Sequence, residues 1–344
     1  MYKLLFRPTA IILAAIIVTG VICGTIIYKN NINDNIKNKN DTDKNSGATD
    51  NALPSVDVGK DYERPLCVLI VGRDKVSGLA DVMMLASFDK NAKSAFVLQI
   101  PRDTYAEYGS SYVKINGALK FLGEEATCAF LEDAMGIEID GYISLELEGF
   151  RELVDTMGGV EMNVEKRLKY SDPEQGLYID LPAGHQTLDG KQAEMLVRYR
   201  SGYARGDLDR LDTQKRFLAA FFLSLKQKIT PFNIYSIASS VLPYLKTDIP
   251  ATELVSIGLN AVSIKSEDIR IATLAGEDAV STISGGSFYV LSASSASEIL
   301  TQYFGAQDNE FDKNGYFLHP SLENFQKIYH KKIENQVFSA DELK

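Results

Sequence analysis

The chain has 344 residues, 45% of them hydrophobic, enough to bury a large core in one big domain or two modest ones. Its formal net charge of −10 excludes a sequence-independent nucleic-acid binder, which carries a basic domain. The histidines, His185, His319 and His330, lie far apart, and no CxxC or Cys/His spacing is present, which argues against zinc and a histidine-based triad. Cys67 and Cys128 are expected as buried free thiols rather than a disulfide, and Cys23 sits in an apolar run.

Residues 8–28 are predominantly apolar and uncharged, the length of a bilayer-spanning helix, and Lys3 and Arg7 precede them. That asymmetry predicts a single-pass signal anchor with residues 1–7 cytoplasmic and everything after it outside the cell. Residues 29–61 are rich in Asn, Asp, Lys, Ser and Thr, a composition that reads as a flexible polar linker.

The folded region is expected from residue 62. Leu66 to Val71 is a continuous apolar run ended by Gly72, a buried strand. Met83–Phe88 and Ser94–Ile100 read as two more strands joined by a turn over residues 89–93. Asp74, Asp81, Arg102 and Asp103 would then collect at one end of a sheet. Helices are expected from Lys114 through Leu122 and from Thr127 to Met135, stopped by Gly136, and again over Phe150–Met157, before Gly158-Gly159. Tyr142–Leu147 and Val160–Val164 read as strands, and residues 170–182 as a loop or short hairpin. A helix from Gly190 to Leu196, a long one from Asp207 to Lys228, helices over 235–245 and 251–261, a strand over 269–274 and a helix over 294–303 complete the pattern. Strands alternating with helices predict an α/β fold: a single α-β-α domain around a central mixed sheet, residues 62–304, with residues 305–344 as a tail. The phosphate loop GxxxxGK[ST], the GxGxxG fingerprint and the GxSxG elbow are absent.

The chemistry concentrates in VRYRSGYARGDLDRLDTQ, Val197 to Gln214. Arg198 and Arg200 are two apart, on one face if the backbone is extended; Arg210 and Gln214 are four apart on a helix that Asp207 could cap. Leu211, Leu218, Phe222 and Leu225 recur at helical spacing, so the arginine and glutamine lie beside a buried stripe. Guanidinium groups bind phosphate or carboxylate oxygens bidentately and keep their charge. Asp74 and Asp81 could hold Mg²⁺ together with phosphate oxygens and water, although a turn residue and a strand-start cap account for them equally well.

The ordered series Gly72-Arg73-Asp74, Asp81-Val82-Met83-Met84-Leu85, Ile100-Pro101-Arg102-Asp103, Lys114-Ile115-Asn116, Gly158-Gly159-Val160, Leu188-Asp189-Gly190, Arg198-Tyr199-Arg200 and Arg210 with Gln214 resembles the LytR-CpsA-Psr family of Gram-positive envelope proteins. The resemblance covers residues 66–228 strongly and continues loosely to Phe304. It implies a hydrophobic pocket for a polyprenyl chain, which Val82, Phe121, Leu122, Phe130, Leu153, Phe217, Phe221 and Phe222 could line. It implies transfer of a phosphate-linked glycopolymer, a teichoic acid or capsular polysaccharide, from an undecaprenyl-pyrophosphate carrier to peptidoglycan, with Mg²⁺ as cofactor. Asp74 and Asp81 match the metal-associated aspartates. Arg102, Arg198, Arg200, Arg210 and Gln214 match the pyrophosphate-binding positions, and Asp103 is the candidate proton acceptor.

The chain also departs from the family pattern. Leu79 stands where an arginine is usual, and Arg73 is the residue at hand to replace that guanidinium. Asp209 stands where glycine is common and Thr213 where a second helix arginine is common. These changes keep open a non-catalytic polyprenyl-phosphate-binding protein, and a lipid-linked pyrophosphatase would use the same groups.

Overall fold

The computed structural model describes residues 64–73, 79–108, 111–173, 177–199, 207–228, 234–250 and 264–306, with 253, 254, 257, 325, 326 and 335–343. The expected anchor and linker, Cys23, Asp74, Arg200, His319, His330 and most of the helix expected over 251–261 lie outside the described residues. None of the described helices is long and apolar enough to cross a membrane.

Three strands open the fold: β1 (Leu66–Arg73), β2 (Ala80–Asp89) and β3 (Ser94–Gln99). They pair antiparallel in sequence order, and the β2–β3 turn is closed by the Asp89 carboxylate, which accepts the amides of Asn91 and Ala92. Next comes a hairpin, β4 (Tyr105–Tyr108) with β5 (Ser111–Lys114), then α1 (Ile115–Met135), which breaks its helical geometry at Gly123, φ 80. The two helices expected there are the halves of this kinked element. β6 (Gly141–Glu146) lies parallel to β1, and α2 (Leu147–Thr156) follows it directly.

The next segment leaves the central sheet. β7 (Val160–Val164) spans the residues expected, but pairs with β10 (Gly184–Leu188), and between them β8 (Leu168–Asp172) and β9 (Leu177–Leu181) form the short hairpin. α3 (Gly190–Arg198) starts in a capping box: Asp189 accepts the Gln192 amide at 2.7 Å and the Gln192 side chain accepts the Asp189 amide at 3.0 Å. The long α4 (Asp207–Lys228) follows. α5 (Ile234–Val241) is shorter than expected, because Pro243 turns the chain into a 3₁₀ segment and then β11 (Leu245–Thr247).

β12 (Ile269–Thr273) joins the sheet parallel to β3, and α6 (Ala293–Phe304) ends at Gly305 in the left-handed conformation. Between them β13 (Gly276–Ser281) and β14 (Ser287–Leu291) form a second sheet with β15 (Phe325–Gln326). Residues beyond 304, read from the sequence as a tail, thus supply β15 and also β16 (Val337–Ser339), which pairs with β12. The central sheet is mixed, seven strands in the order β11-β6-β1-β2-β3-β12-β16.

Alternation along the strands gives each face its own core. Val68, Ile70, Met84, Ala86 and Val97 pack toward α2, α3 and α4, and Cys67, Leu69, Val71, Leu85 and Leu98 pack toward α1 and α6. This is the α-β-α arrangement expected. Cys67 and Cys128 are free and buried on the second face, and burial pushes the Cys128 thiol up to about 12. Of the residues proposed for a lipid pocket, Val82, Leu153, Phe217, Phe221 and Phe222 are packed core, with Phe150 and Phe217 edge to face at 5.7 Å. Phe121 is 77% exposed.

Candidate functional site

The site forms where β1 ends, β2 begins and β3 ends. Gly72 is opposite Val82 and Arg73 opposite Ala80, so Asp81 is the extra residue of a β-bulge, and a bulge re-aims a side chain. The sequence placed Asp81 at the start of a strand; it is the second residue of β2 and is 4% exposed.

From β3 the chain makes a tight turn in which the Thr104 amide donates to the Pro101 carbonyl at 3.0 Å. Arg102 and Asp103 occupy its two central positions. The turn is fixed from outside: the Ile115 amide donates to Thr104, the Asn116 amide to Arg102, and the Tyr289 amide to the Asp103 carbonyl. Arg102, 5% exposed, donates from Nη1 to Asp81 Oδ1 at 3.1 Å. Asp103 faces the other way, accepting from Lys114 Nζ at 2.9 Å, and its Oδ2 is 4.0 Å from Arg102 Nε.

α4 lies over this corner. Arg210 and Gln214 are each 1% exposed, and Gln214 Nε2 donates to the Val197 carbonyl at 3.2 Å, tying α4 to the end of α3. Asp81, Gln99, Arg102, Arg210 and Gln214 line one narrow cleft of about 10 Å³, room for roughly one water molecule. Two guanidiniums, of Arg102 and Arg210, and the Asp81 carboxylate are among the residues lining it. Arg102 Nε and Gln99 Nε2 are buried with no hydrogen-bond partner among the described residues. Buried guanidinium and amide groups with spare donors are a site for an anion.

The other residues named from the sequence fall differently. Arg198 does not sit on an extended backbone as its spacing from Arg200 suggested; it closes α3, and its Nη1 donates to Glu194 Oε1 one turn back at 2.6 Å. The same Glu194 carboxylate accepts from Arg151 at 3.1 Å. Arg73 does not turn toward the cleft to replace the guanidinium absent at Leu79: it pairs with Glu124 of α1 at 2.6 Å, on the opposite face of the sheet. Asp103 does not line the cleft, and Asp74 and Arg200 lie outside the described residues.

Sequence reasoning missed Gln99, Glu124 and Glu194. Gln99 was signalled by its position, a polar residue where the apolar alternation of β3 continues. Glu124 and Glu194 carried no local signal, since their partners come from other elements. Glu124 is held below the ordinary carboxylate range: desolvation acts to raise it, but hydrogen bonding to Lys246 and the nearby Arg73 outweigh that. Among the described residues no group of three or more His, Cys, Asp or Glu side chains gathers as a metal cage.

Comparison with known proteins agrees with this architecture. The chain is 29% identical over 252 residues to the polyisoprenyl-teichoic acid–peptidoglycan teichoic acid transferase TagU of Oceanobacillus iheyensis, covering 69% of this chain and 75% of that protein. It is 26% identical to the transferase TagV of Bacillus subtilis, of which it spans 58%. The crystal structure of B. subtilis TagV superposes with a TM-score of 0.61 at 23% identity, over 72% of this chain and all of that one. The sequence model of the LytR_cpsA_psr family matches residues 24–304, and the chain belongs to that family.

Proposed function

We propose that this protein is a membrane-anchored, Mg²⁺-dependent phosphotransferase that moves a glycopolymer from an undecaprenyl-pyrophosphate carrier to peptidoglycan. The observation that carries the reading is the convergence of Arg102, Arg210 and Gln214 on the buried Asp81 in one cleft. The names of its curated relatives, teichoic acid transferases acting between a polyisoprenyl carrier and peptidoglycan, support glycopolymer transfer as the activity.

In this reading the donor's diphosphate seats at the mouth of the cleft, which must open beyond its present room for about one water to bring phosphate oxygens against Arg102, Arg210 and Gln214. The family resemblance makes Arg198 and Arg200 further contacts of the same anion, which for Arg198 requires release from Glu194. Fixed guanidinium and amide donors in a dry setting stabilise the charge that grows on the leaving phosphate, the largest source of rate in phosphoryl transfer. Asp81 suits Mg²⁺, which takes one or two carboxylates and fills its remaining positions with water and phosphate oxygens. Asp74 is the second carboxylate of that pair. Bound there, the ion would supply Lewis-acid neutralisation of the diphosphate. A muramic acid hydroxyl attacks the sugar-proximal phosphorus, a carboxylate takes its proton, and undecaprenyl phosphate leaves; Asp103, paired with Lys114 outside the cleft, must turn toward the site to be that acceptor. The domain works outside the cell, tethered by residues 8–28 and 29–61.

A second reading, a protein that holds the lipid without turning it over, is favoured by one finding. Arg73, the residue at hand to restore the arginine absent at Leu79, is engaged by Glu124.

The deciding assay is release of undecaprenyl phosphate from a synthetic lipid-pyrophosphate-linked glycan, with and without Mg²⁺ and peptidoglycan. The transferase predicts Mg²⁺-dependent release with glycan appearing on the acceptor, reduced by at least about 100-fold in Arg102→Ala and in Asp81→Ala. Release without transfer identifies a pyrophosphatase, and tight binding without release identifies the holding protein.

A further inference from the structure

α4 has a second polar flank. Arg210 and Gln214 border the phosphate cleft, while Asp209, Asp212, Thr213 and Arg216, three and four residues apart, line a separate groove. Its other wall is the end of β7 and the residues after it, with Asn163, Glu165 and Lys166, and its floor is apolar, from Met162, Val164, Leu168 and Leu196. The groove has a volume of about 290 Å³, at the lower end of the roughly 300–1,000 Å³ typical of small-ligand sites.

One ion pair bridges the groove's two walls, and the other α4 groups are held by neighbours on the helix. Arg216 donates to Glu165, Lys215 pairs with Asp212 at 2.8 Å, and the Thr213 hydroxyl donates to the Asp209 carbonyl at 3.0 Å. The lining sets three carboxylates, Glu165, Asp209 and Asp212, against two cations, Lys166 and Arg216, so a phosphate is less favoured here than on the Arg102–Arg210 side. An apolar floor under a hydrogen-bonding rim suits a neutral ligand with C–H faces and hydroxyl or amide edges, which describes a sugar ring. Asp209 and Thr213 both line this groove, and neither lines the phosphate cleft.

We infer that this groove is a saccharide subsite and that Asp209 and Thr213 tune which glycan it accepts. The sugar comes either from the glycan carried on the donor or from the peptidoglycan acceptor. The inference rests on the proposed reading for the identity of the neighbouring anion.

The test uses the full-length protein in detergent micelles and titration calorimetry with three probes: undecaprenyl pyrophosphate without sugar, the same lipid carrying a disaccharide, and peptide-free peptidoglycan glycan fragments. Thr213→Arg places a long cation in the groove, and Asn163→Ala removes one polar group from the opposite wall. Affinity for a sugar-bearing probe should fall about tenfold in the first and roughly threefold in the second, the weight of one neutral hydrogen bond. The sugar-free lipid should change by less than about twofold. Loss confined to the disaccharide lipid assigns the groove to the donor, and loss for the fragments assigns it to the acceptor. The inference is overturned if neither sugar probe binds, if both variants bind them as the wild type does, or if the sugar-free lipid weakens equally. A wild type that ignores the sugar-free lipid sinks the polyprenyl-pyrophosphate reading alone, and the fragments still decide the groove.

Discussion

Glu124 is the buried carboxylate with most at stake outside the cleft. Its side chain is 1% exposed and bridges Arg73 at 2.6 Å and Lys246 at 2.8 Å. Because its folded pKa is lowered, the stability it contributes is present above the ordinary glutamate range and is lost as pH falls through the folded value. Glu124→Gln should therefore destabilise by about 1–3 kcal/mol near neutrality. It should also flatten the loss of stability on acidification, which urea midpoints between about pH 7 and about pH 3 would measure. Glu194 plays a similar part between Arg151 and Arg198. Glu194→Ala removes the carboxylate that Arg151 and Arg198 share, leaving Arg151 its contact with Glu148, and should cost about 3 kcal/mol, the low end for a broken buried pair because Arg151 is partly exposed. An unchanged unfolding midpoint would show that water serves Arg198 as well. At this scale the sequence told that Arg210 and Gln214 flank a buried stripe, because helical spacing is local. It could not tell that both are themselves buried, because β2 and β3, which help to enclose them, lie more than a hundred positions earlier.

Among the elements, α3 shows how a helix is both capped and pressed into place. Asp189 and Gln192 close its first turn, and Gly190 lies so close to α2 that a Cβ there would come within 2.4 Å of the Arg151 carbonyl oxygen. Gly190→Ala must push α3 and α2 apart and should lose about 1–3 kcal/mol, the range for overpacking. Gly123→Ala meets nothing within 4 Å but sits at φ +80, so it should lose about 1–2 kcal/mol through backbone strain alone. Thermal melts of the two variants measure the losses, and backbone amide chemical shifts separate the causes: only the first should shift signals from α2. The sequence made β1, β3, β7, α4 and α6 legible because each has a long apolar run, a clean alternation or a glycine stop. The β4–β5 hairpin and the β13-β14-β15 sheet were missed. Their strands are short and partly polar, and their register is fixed by contacts such as Tyr105 against Phe288 and Phe325 rather than by local pattern.

In the whole molecule, residues far apart in the chain complete one sheet. β16 covers the outer edge of β12, and a chain ending at residue 306 would leave that edge with open backbone donors and acceptors. Such a truncation should self-associate, seen as a rise in mass by light scattering; a monodisperse monomer would show that β16 is dispensable. The mixed sheet with helices on both faces was readable from the alternation of elements. Its strand order was not, because order depends on pairings that no local window contains.

That strand order also sets a timetable. β6, β1, β2 and β3 come from one stretch of chain and can assemble while the remainder is still disordered. The Thr273 hydroxyl reaches Gln99 across 174 residues of sequence, and β16 must wait for β12. Closing loops of that length exacts its entropy before any contact rewards it, so refolding should run through a half-built sheet on a timescale of about milliseconds to seconds. Until β12 docks, the free edge of β3 is the part of the molecule most open to a wrong partner.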